Sequence, residues 1–427
     1  MRLRRDVEAE VTGLWRERSF QLLWLGQTAA VAGGQVRLVV LPVLMFQLTG
    51  SATQTSLLLT VQAAPYLALG LVAGAVADRA NRRVIMVSCD LASAAAMASI
   101  PTAAALATLT PAQLYVAGAV TGTTFVWHDS ALFGALPTIV GRQRVVNAYS
   151  ILMSTNQVLQ VGATAIAGVL IAVIGAQNAL WIDVTCYAVS AVMIRLIPRQ
   201  LSSTRTPDAQ RASLHTDIRE GLRYVRHHPV VWPLTASGFG SALAGGALLG
   251  LIVVYGVRQL GLAENDAQLG WLFTALAIGG LTAGIALPAL SRRVNQPRIS
   301  LLGLTAMVAL LVGIALTSIL PISLALLVAW GSAHTLVIAN GITLRQQLTP
   351  DRLQGRVNVT ARMIAYGGTP IGAALGGVLA DQTNIQTALL MMTLCVAASA
   401  VYAWSSPLRR TDATAITRLR KEVEQPG

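Results

Sequence analysis

The sequence predicts an all-α membrane protein in which twelve transmembrane helices form two six-helix pseudo-repeats. Three observations favour this fold class. Of the 427 residues, 11% are charged, whereas a soluble domain carries about 25%. Apolar runs of about 20 residues recur along the chain, and a helix of that length crosses a ~30 Å hydrocarbon core. Segments of the two halves also match each other when the sequence is shifted by 210 residues.

The apolar runs give twelve predicted spans separated by mostly short polar connections. They lie at 20–47, 54–78, 83–107, 111–138, 145–174, 178–198, 229–257, 266–290, 297–319, 321–346, 355–381 and 384–406. Apart from Arg37 and Arg258, all of the 31 Lys and Arg residues fall on one side of the membrane or at the adjoining helix ends. Because cytoplasmic loops are enriched in Lys and Arg, both termini are predicted to be cytoplasmic. The same asymmetry explains the net charge of +13 without a nucleic-acid partner.

The shift of 210 residues predicts a duplicated architecture. It places Gly74 on Gly284 and Arg82 on Arg292, but Pro288 stands where a second Asp78 would fall. Two six-helix halves in parallel repeat are typical of many secondary transporters. The predicted domains are an N-terminal six-helix bundle (1–198), a cytoplasmic linker (199–228), a C-terminal six-helix bundle (229–408) and a cytoplasmic tail (409–427).

The linker contains a predicted amphipathic helix that begins after Ser213. Leu214, Ile218, Leu222 and Val225 recur at helical spacing, with arginines between them. Such a helix next to membrane spans is expected to lie along the cytoplasmic lipid surface and to connect the two halves. A binding role for the same helix is left open.

The loop between the second and third predicted spans carries four charges in a short stretch. Its spacing, G-x-x-x-D-R-x-x-R-R, resembles the loop between helices two and three of the major facilitator superfamily. The resemblance implies a conformational latch, in which Asp78 holds the two halves together and Gly74 lets a neighbouring helix approach closely. The residues assigned to this latch are Gly74, Asp78, Arg79, Arg82, Arg83 and, as a companion acid on the next helix, Asp90. A topology signal alone is the alternative interpretation.

Three further motifs extend this resemblance along the chain. They are RSFQLLWLGQ at 18–27, QAAPYLALGLVAGAVADR at 62–79 and PDRLQGRV at 350–357. They are similar to the branch that includes the bacterial enterobactin exporter and macrolide efflux proteins. This similarity implies export of a siderophore or drug-like molecule in exchange for protons. The fifth span departs from the family's antiporter signature, because Thr164 stands near the place of the usual proline.

Ionisable side chains within the predicted spans indicate where coupling chemistry could occur. Arg37 lies near the middle of the first span, and His128 and Asp129 lie near the middle of the fourth. Because a charge in hydrocarbon is costly unless it is paired or hydrated, we predict an Arg37–Asp129 ion pair in a central cavity. Asp129 would take a proton when Arg37 moves away. A structural salt bridge is the alternative, and Asp183 is expected to be an interhelical partner.

Neutral polar side chains add candidates for substrate contact. His334 in the tenth span either relays protons and binds substrate or forms a hydrogen bond across helices. The amide side chains predicted to contact substrate are Gln27, Gln35, Asn156, Gln157, Gln160 and Asn340.

The sequence contains no Walker A motif, HExxH motif, CxxC pair or Gly-x-Ser-x-Gly elbow. We therefore predict a secondary active transporter and not an enzyme, with no cofactor and no metal. Its predicted partners are a small-molecule substrate, protons and the lipid bilayer, with no nucleic acid, and it is expected to act as a monomer in a bacterial cytoplasmic membrane. The alternatives are a lysophospholipid or lipid translocator and a non-transporting membrane sensor on the same fold.

Overall fold

The computed structural model describes residues 13–77, 79–199, 201, 214–350 and 353–410, which form helices and turns with no strand among them. The long helices are α1 (Arg18–Thr49), α2 (Ala52–Ala77), α3 (Arg82–Ala105), α4 (Pro111–Val140), α5 (Val145–Ile174), α6 (Ala176–Arg195), α7 (Leu214–His227), α8 (Val231–Arg258), α9 (Gln268–Arg293), α10 (Gln296–Leu316), α11 (Leu320–Leu348), α12 (Gln354–Tyr366), α13 (Gly368–Gln382) and α14 (Ile385–Ser405). Two short 3₁₀ helices lie at Arg142–Arg144 and Pro407–Arg410.

The predicted all-α class is confirmed, and each predicted span coincides with a helix. The eleventh span is divided into α12 and α13, which meet at Gly367. Nine helical stretches of the described residues are long and apolar enough to cross a membrane. The other three predicted spans fall on α2, α4 and α6, so the count of twelve stays a prediction.

Local sequence signals fix several helix ends. Gly50 follows α1 with a φ of 61°, a left-handed conformation that a residue without a Cβ adopts at little cost. Asn81 is the N-cap of α3, because its side-chain oxygen accepts a hydrogen bond from the N–H of Arg83 at 3.1 Å. Asn384 caps α14 in the same way, and its side-chain oxygen accepts a hydrogen bond from the N–H of Thr387 at 2.8 Å.

The described residues form two compact units. Unit 1 is drawn from Met1–Gly50, Val61–Pro207 and Leu262–Thr274, and unit 2 from Ser51–Thr60, Asp208–Gly261 and Ala275–Gly427. In unit 1, α1 packs against α5 and α6, and α3 packs against α4 and α6. In unit 2, α8 packs against α13 and α14, and α10 packs against α11 and α14. Corresponding helices therefore pack in the same pairs in both units, with α1 and α3 of unit 1 in the places of α8 and α10 of unit 2, as a repeat requires. The predicted domain limits stay a prediction.

The apolar core of unit 1 gathers at the end where α1 begins and α4 ends. Leu14 and Phe20 are fully buried there beside Leu23 of α1, Met86 of α3 and Ile139 of α4. Lipid tails are as apolar as these side chains, so transfer away from lipid gains little. The core is stabilised instead by the close packing of its side-chain surfaces.

Small residues bring α8 and α13 of unit 2 into close contact. A Cβ added to Gly372 would overlap the carbonyl oxygen of Leu243, and one added to Gly246 would overlap the carbonyl oxygen of Thr369. Two helix backbones can approach this closely where no side chain separates them.

The amphipathic helix expected after Ser213 is α7, and it packs against α12. The Tyr224 hydroxyl donates a hydrogen bond to the carbonyl oxygen of Leu348 at 2.7 Å, and Glu220 pairs with Arg356 of α12. Its position on a lipid surface stays a prediction. Residues 202–213 of the linker and 411–427 of the tail lie outside the described residues.

Candidate functional site

Unit 1 contains a polar cavity of about 440 Å³ between its helices. It is lined by the following side chains that the sequence marked as site residues: Gln27, Gln35, Arg37, Asp90, His128, Asp129, Asn156, Gln157 and Gln160. These residues come from α1, α3, α4 and α5, which are separated in sequence. The fold therefore brings most of the predicted polar residues to one place.

Arg37 of α1 forms its ion pair with α6. Its Nη1 lies 2.9 Å from Oδ2 of Asp183, which is fully buried. The predicted Arg37–Asp129 pair is therefore wrong, because the guanidinium is directed at α6 and not at α4. Gly33 makes this possible, since a Cβ there would lie 2.6 Å from Oδ1 of Asp183. The expectation that Asp183 is an interhelical partner agrees with this contact.

A chain of hydroxyl groups continues from Arg37 along the cavity wall. Arg37 also donates to the hydroxyl oxygen of Tyr187 at 2.6 Å, and its guanidinium lies 5.3 Å from the centre of the Tyr187 ring. Tyr187 is linked by a hydrogen bond to Ser93, whose hydroxyl lies 2.6 Å from that of Thr124. These bonds hold the arginine in a fixed position at the cavity surface.

Asp90 of α3 forms a second polar group in the same cavity. Its Oδ2 accepts a hydrogen bond from the Ser190 hydroxyl at 2.6 Å. Its Oδ1 lies 3.5 Å from Nε2 of His128, which makes no hydrogen bond at that distance. Protonation of His128 would turn this contact into an ion pair. These contacts of Asp90 are on α4 and α6, and its role as a companion acid of the loop at 74–83 stays a prediction.

The arginines of that loop bind backbone carbonyl groups of unit 1. Arg82 is buried and donates to the carbonyl oxygen of Gly134 at 2.7 Å. Arg83 donates to the carbonyl oxygens of Ile197 at 2.6 Å and Arg199 at 2.5 Å, just beyond the end of α6. Cations at helix C-termini are favoured by the helix dipole.

Three other residues of the latch are Asp78, Gly74 and Arg79. Asp78 lies outside the described residues. A Cβ added to Gly74 would meet open space among the described atoms, so no helix uses this glycine for a close approach. Arg79 is exposed. The latch role of this loop stays a prediction.

The predicted site residues of unit 2 are placed in its packed interior. His334 stacks on Trp330 with ring centres 4.8 Å apart, and its Nδ1 lies 3.1 Å from the hydroxyl of Ser241. Asn340 is buried and donates to the carbonyl oxygen of Gln296 at 2.6 Å and to the Ser300 hydroxyl at 2.8 Å. Both contacts join α11 to α10, and substrate contact by Asn340 stays a prediction. His334 fits the alternative of a hydrogen bond across helices.

Sequence reasoning missed a charged cluster at the end of α13. Asp381 accepts hydrogen bonds from the N–H groups of Ala52 at 3.0 Å and Thr53 at 2.8 Å, and from the Ser51 hydroxyl at 2.6 Å. Arg258 lies 3.1 Å from the same carboxylate. Asp381 therefore caps the first turn of α2 from another helix, a contact within unit 2 that no local spacing announces.

A signal for the Arg37 site was present in the sequence. Asp183 and Tyr187 are four residues apart on a predicted helix, so they lie on one face and can meet the same partner. The hydroxyl groups of Ser93 and Thr124 carry no comparable pattern, because serine and threonine within a span often bond to their own helix.

Comparisons with known proteins agree with this architecture. The family model described as Major Facilitator Superfamily matches residues 23–369 and 265–425. The multidrug efflux pump Tap of Mycolicibacterium fortuitum is 26% identical over 385 residues, which cover 87% of this chain and 92% of that protein. The enterobactin exporter EntS of Shigella dysenteriae serotype 1 is 26% identical over 386 residues, which cover 87% of each.

Solved structures show the same fold at low sequence identity. A bacterial homologue of the human lysosomal transporter Spinster superposes with a TM-score of 0.74 at 15% identity, covering 96% of this chain and 99% of that one. A bacterial homologue of the iron transporter ferroportin gives a TM-score of 0.71 at 17% identity, covering 91% and 98%. Because the family model matches most of this chain, the chain belongs to the major facilitator superfamily.

Proposed function

We propose that this protein exports small organic molecules across a bacterial cytoplasmic membrane by alternating access, in exchange for protons. The observation that carries this proposal is the cavity of unit 1, which holds ionisable side chains among amide groups. Asp90, His128 and Asp129 line it together. A transporter of this family moves small molecules, and a proton-coupled one needs a group that gains and loses a proton inside the protein.

The charges of the cavity favour cations over anions. The carboxylates of Asp90 and Asp129 line it, whereas the positive charge of Arg37 is matched by Asp183. With His128 neutral, the Asp90 carboxylate contributes a negative charge beside the cavity that no described arginine pairs with, and a proton or an organic cation offsets it. Competition between the two for the same carboxylates would couple proton entry to substrate release.

The proton-carrying group is proposed to be Asp129 together with the neighbouring Asp90–His128 pair. Arg37 is not part of this proton site, because its partner is Asp183. Nε2 of His128 stands 3.5 Å from Oδ1 of Asp90, so the two side chains are close enough to act as one proton-binding site. The amides of Gln27, Gln157 and their neighbours would supply adaptable hydrogen bonds to varied substrates.

The relatives support export as the direction. One is named a multidrug efflux pump and another an enterobactin exporter. Both termini are proposed to lie in the cytoplasm, and the monomer is proposed to be the working unit.

The experiment is transport of ethidium, an organic cation, in proteoliposomes with an imposed pH gradient. Asp129→Asn and Asp90→Asn are each expected to abolish gradient-driven ethidium transport. Exchange of ethidium against ethidium is expected to persist with a weaker apparent affinity, because one of the two carboxylates remains. Asp266→Asn is the matched control, because Asp266 belongs to unit 1, does not line the cavity and accepts a hydrogen bond from the N–H of Gln268 that asparagine can also accept. Unimpaired gradient-driven transport in both cavity variants would overturn the coupling, and absence of any flux would favour a sensor.

A further inference from the structure

Arg345 in the last turn of α11 is a buried arginine that no carboxylate contacts in the described part of unit 2. It is 4% exposed, and its Nε makes no hydrogen bond. The C-terminal end of a helix attracts a cation, but this attraction is weak beside the cost of removing a guanidinium from water. The positive charge of Arg345 is therefore not offset by the protein atoms that the structure describes.

The described carboxylates of unit 2 form ion pairs with arginines other than Arg345. The acidic side chains that the structure describes in this unit are Glu220 and Asp381. Glu220 pairs with Arg356, and Asp381 pairs with Arg258 at 3.1 Å. Each of these arginines is more exposed than Arg345. The carboxylates thus lie at less buried positions, while the most buried of these guanidinium groups has none.

Arg345 lines a small pocket between α8, α11 and α12. The pocket has a volume of about 20 Å³, enough for one water-sized group. Its apolar walls include Leu234, Ala242, Val337, Ile338 and Ala365. Tyr366 also lines it, and the guanidinium of Arg362 lies 5.6 Å from the centre of the Tyr366 ring. A second positive charge therefore lies beside the same pocket.

We propose that Arg345 binds the head group of an amphiphilic acid, with an oxygen of a carboxylate or phosphate monoester in this pocket. A guanidinium presents its N–H groups as a planar fork that matches both anions. The apolar walls disfavour a hydrated inorganic ion, and the pocket has room for one oxygen of the head group, so the attached apolar chain lies outside it. The bound anion supplies the counter-charge that the described part of unit 2 does not provide and a hydrogen-bond acceptor for the Nε of Arg345. This site lies in unit 2, outside the cavity of unit 1.

Thermal unfolding of the full chain in a maltoside detergent tests the site with three probes of equal chain length. Decanoate and decyl phosphate are expected to raise Tm in a saturable way, by about 3 °C at a concentration of 100 times Kd. Decyltrimethylammonium is expected to leave Tm unchanged. Equal shifts with the acids and the cation would overturn the proposal. This measurement reports binding, so it stands apart from proton coupling and from the direction of transport.

Variants separate a binding role from a structural one. Arg345→Met is expected to unfold at the same temperature as the parent protein or higher without ligand, since it removes an unmatched buried charge, and to lose the response to both acids. Arg345→Lys keeps the charge without the fork and is expected to bind about tenfold more weakly. Arg298→Gln, at an exposed arginine of the same unit, is the matched control and keeps the full response. A full response in Arg345→Met, or unfolding at a lower temperature, would refute the assignment.

Nanodiscs distinguish a bilayer lipid from a free acid as the source of the head group. If an anionic lipid occupies the site, discs of phosphatidylglycerol abolish the decanoate shift and discs of phosphatidylcholine do not. If the ligand is a free acid, the shift persists in both. Either result supports the site, and a shift that is absent in detergent and in both discs would contradict it.

Discussion

Units 1 and 2 pack the same pairs of helices but hold their charges in different places. In unit 1 the Arg37–Asp183 pair and the Asp90–His128 contact line or border an internal cavity. In unit 2 the described ion pairs are Arg258–Asp381, at the C-terminal ends of α8 and α13, and Arg356–Glu220, between α12 and α7, and neither pair lines that cavity. A repeated fold can therefore carry two different distributions of charge, because helix packing depends on side-chain shape more than on polarity.

Aligning the units at a shift of 210 residues shows how the difference arises. Arg37 and Asp183 correspond to Ala247 and Thr393, which are both buried. Asp90 corresponds to Ser300, which accepts a hydrogen bond from Asn340 at 2.8 Å. The second unit thus has neutral groups where the first has ionisable ones. Proton chemistry is consequently expected in unit 1, and unit 2 is expected to serve as its packed counterpart.

The largest expected effect is on the ion pair that unit 2 lacks. Asp183→Asn would leave Arg37, which is 13% exposed, without its counter-charge at the cavity wall, at a cost of about 3 kcal/mol in the free energy of unfolding. The double variant with Arg37→Gln should recover most of this loss, since both charges are then absent. Thermal unfolding in detergent measures both variants. Thr393→Val at the corresponding position of unit 2 is the control, and a loss equal to that of Asp183→Asn would break the comparison.

The next effect concerns the distance between packed helices. At Gly372 of α13 in unit 2 a neighbouring backbone lies in contact, whereas at Gly162 of α5 in unit 1 none does. Gly372→Ala would push a Cβ into the carbonyl oxygen of Leu243, at a cost of about 1–3 kcal/mol or more in the free energy of unfolding. Gly162 stands at the corresponding position of α5, where an added Cβ meets open space. Gly162→Ala is therefore expected to be neutral or stabilising, because alanine has the higher helix propensity. Equal Tm changes in the two variants would contradict the difference in packing.

A smaller effect is expected at the cap of α2 within unit 2. Asp381→Ala removes the acceptor for two backbone N–H groups and the partner of Arg258, and should lower the free energy of unfolding by about 1–2 kcal/mol. Asp381→Asn keeps an acceptor for the helix cap but loses the charge. It should therefore lose only part of that stability, as measured by Tm in low salt. If asparagine were as damaging as alanine, the ion pair with Arg258 would outweigh the cap.

Sequence patterns were informative where one helix determines the outcome. Apolar runs located the long helices other than α7, which the amphipathic spacing after Ser213 predicted. The polar side chains of α1 and α5 that line the cavity follow from the cost of placing amides in lipid. The partner of Arg37 was not predictable by depth alone, because Asp129 and Asp183 lie on different helices and the rotation of each helix decides which one faces α1. Gly33 settles this by allowing α6 to approach. Asp381 was missed for a related reason, since it caps a helix that begins 329 residues away in the chain.

The smallest effect is expected at Gly74, the glycine that the superfamily resemblance assigned to a close approach between helices. An added Cβ meets open space there and at Gly284, its counterpart in the repeat. Gly74→Ala and Gly284→Ala should therefore change the free energy of unfolding by no more than about 0.5 kcal/mol, and both should keep gradient-driven ethidium transport. Measuring Tm and transport on the same preparations separates packing from mechanism. Lost transport with unchanged Tm in Gly74→Ala alone would mean that a helix approaches this glycine in another state of the cycle, as the latch hypothesis requires and the described structure does not.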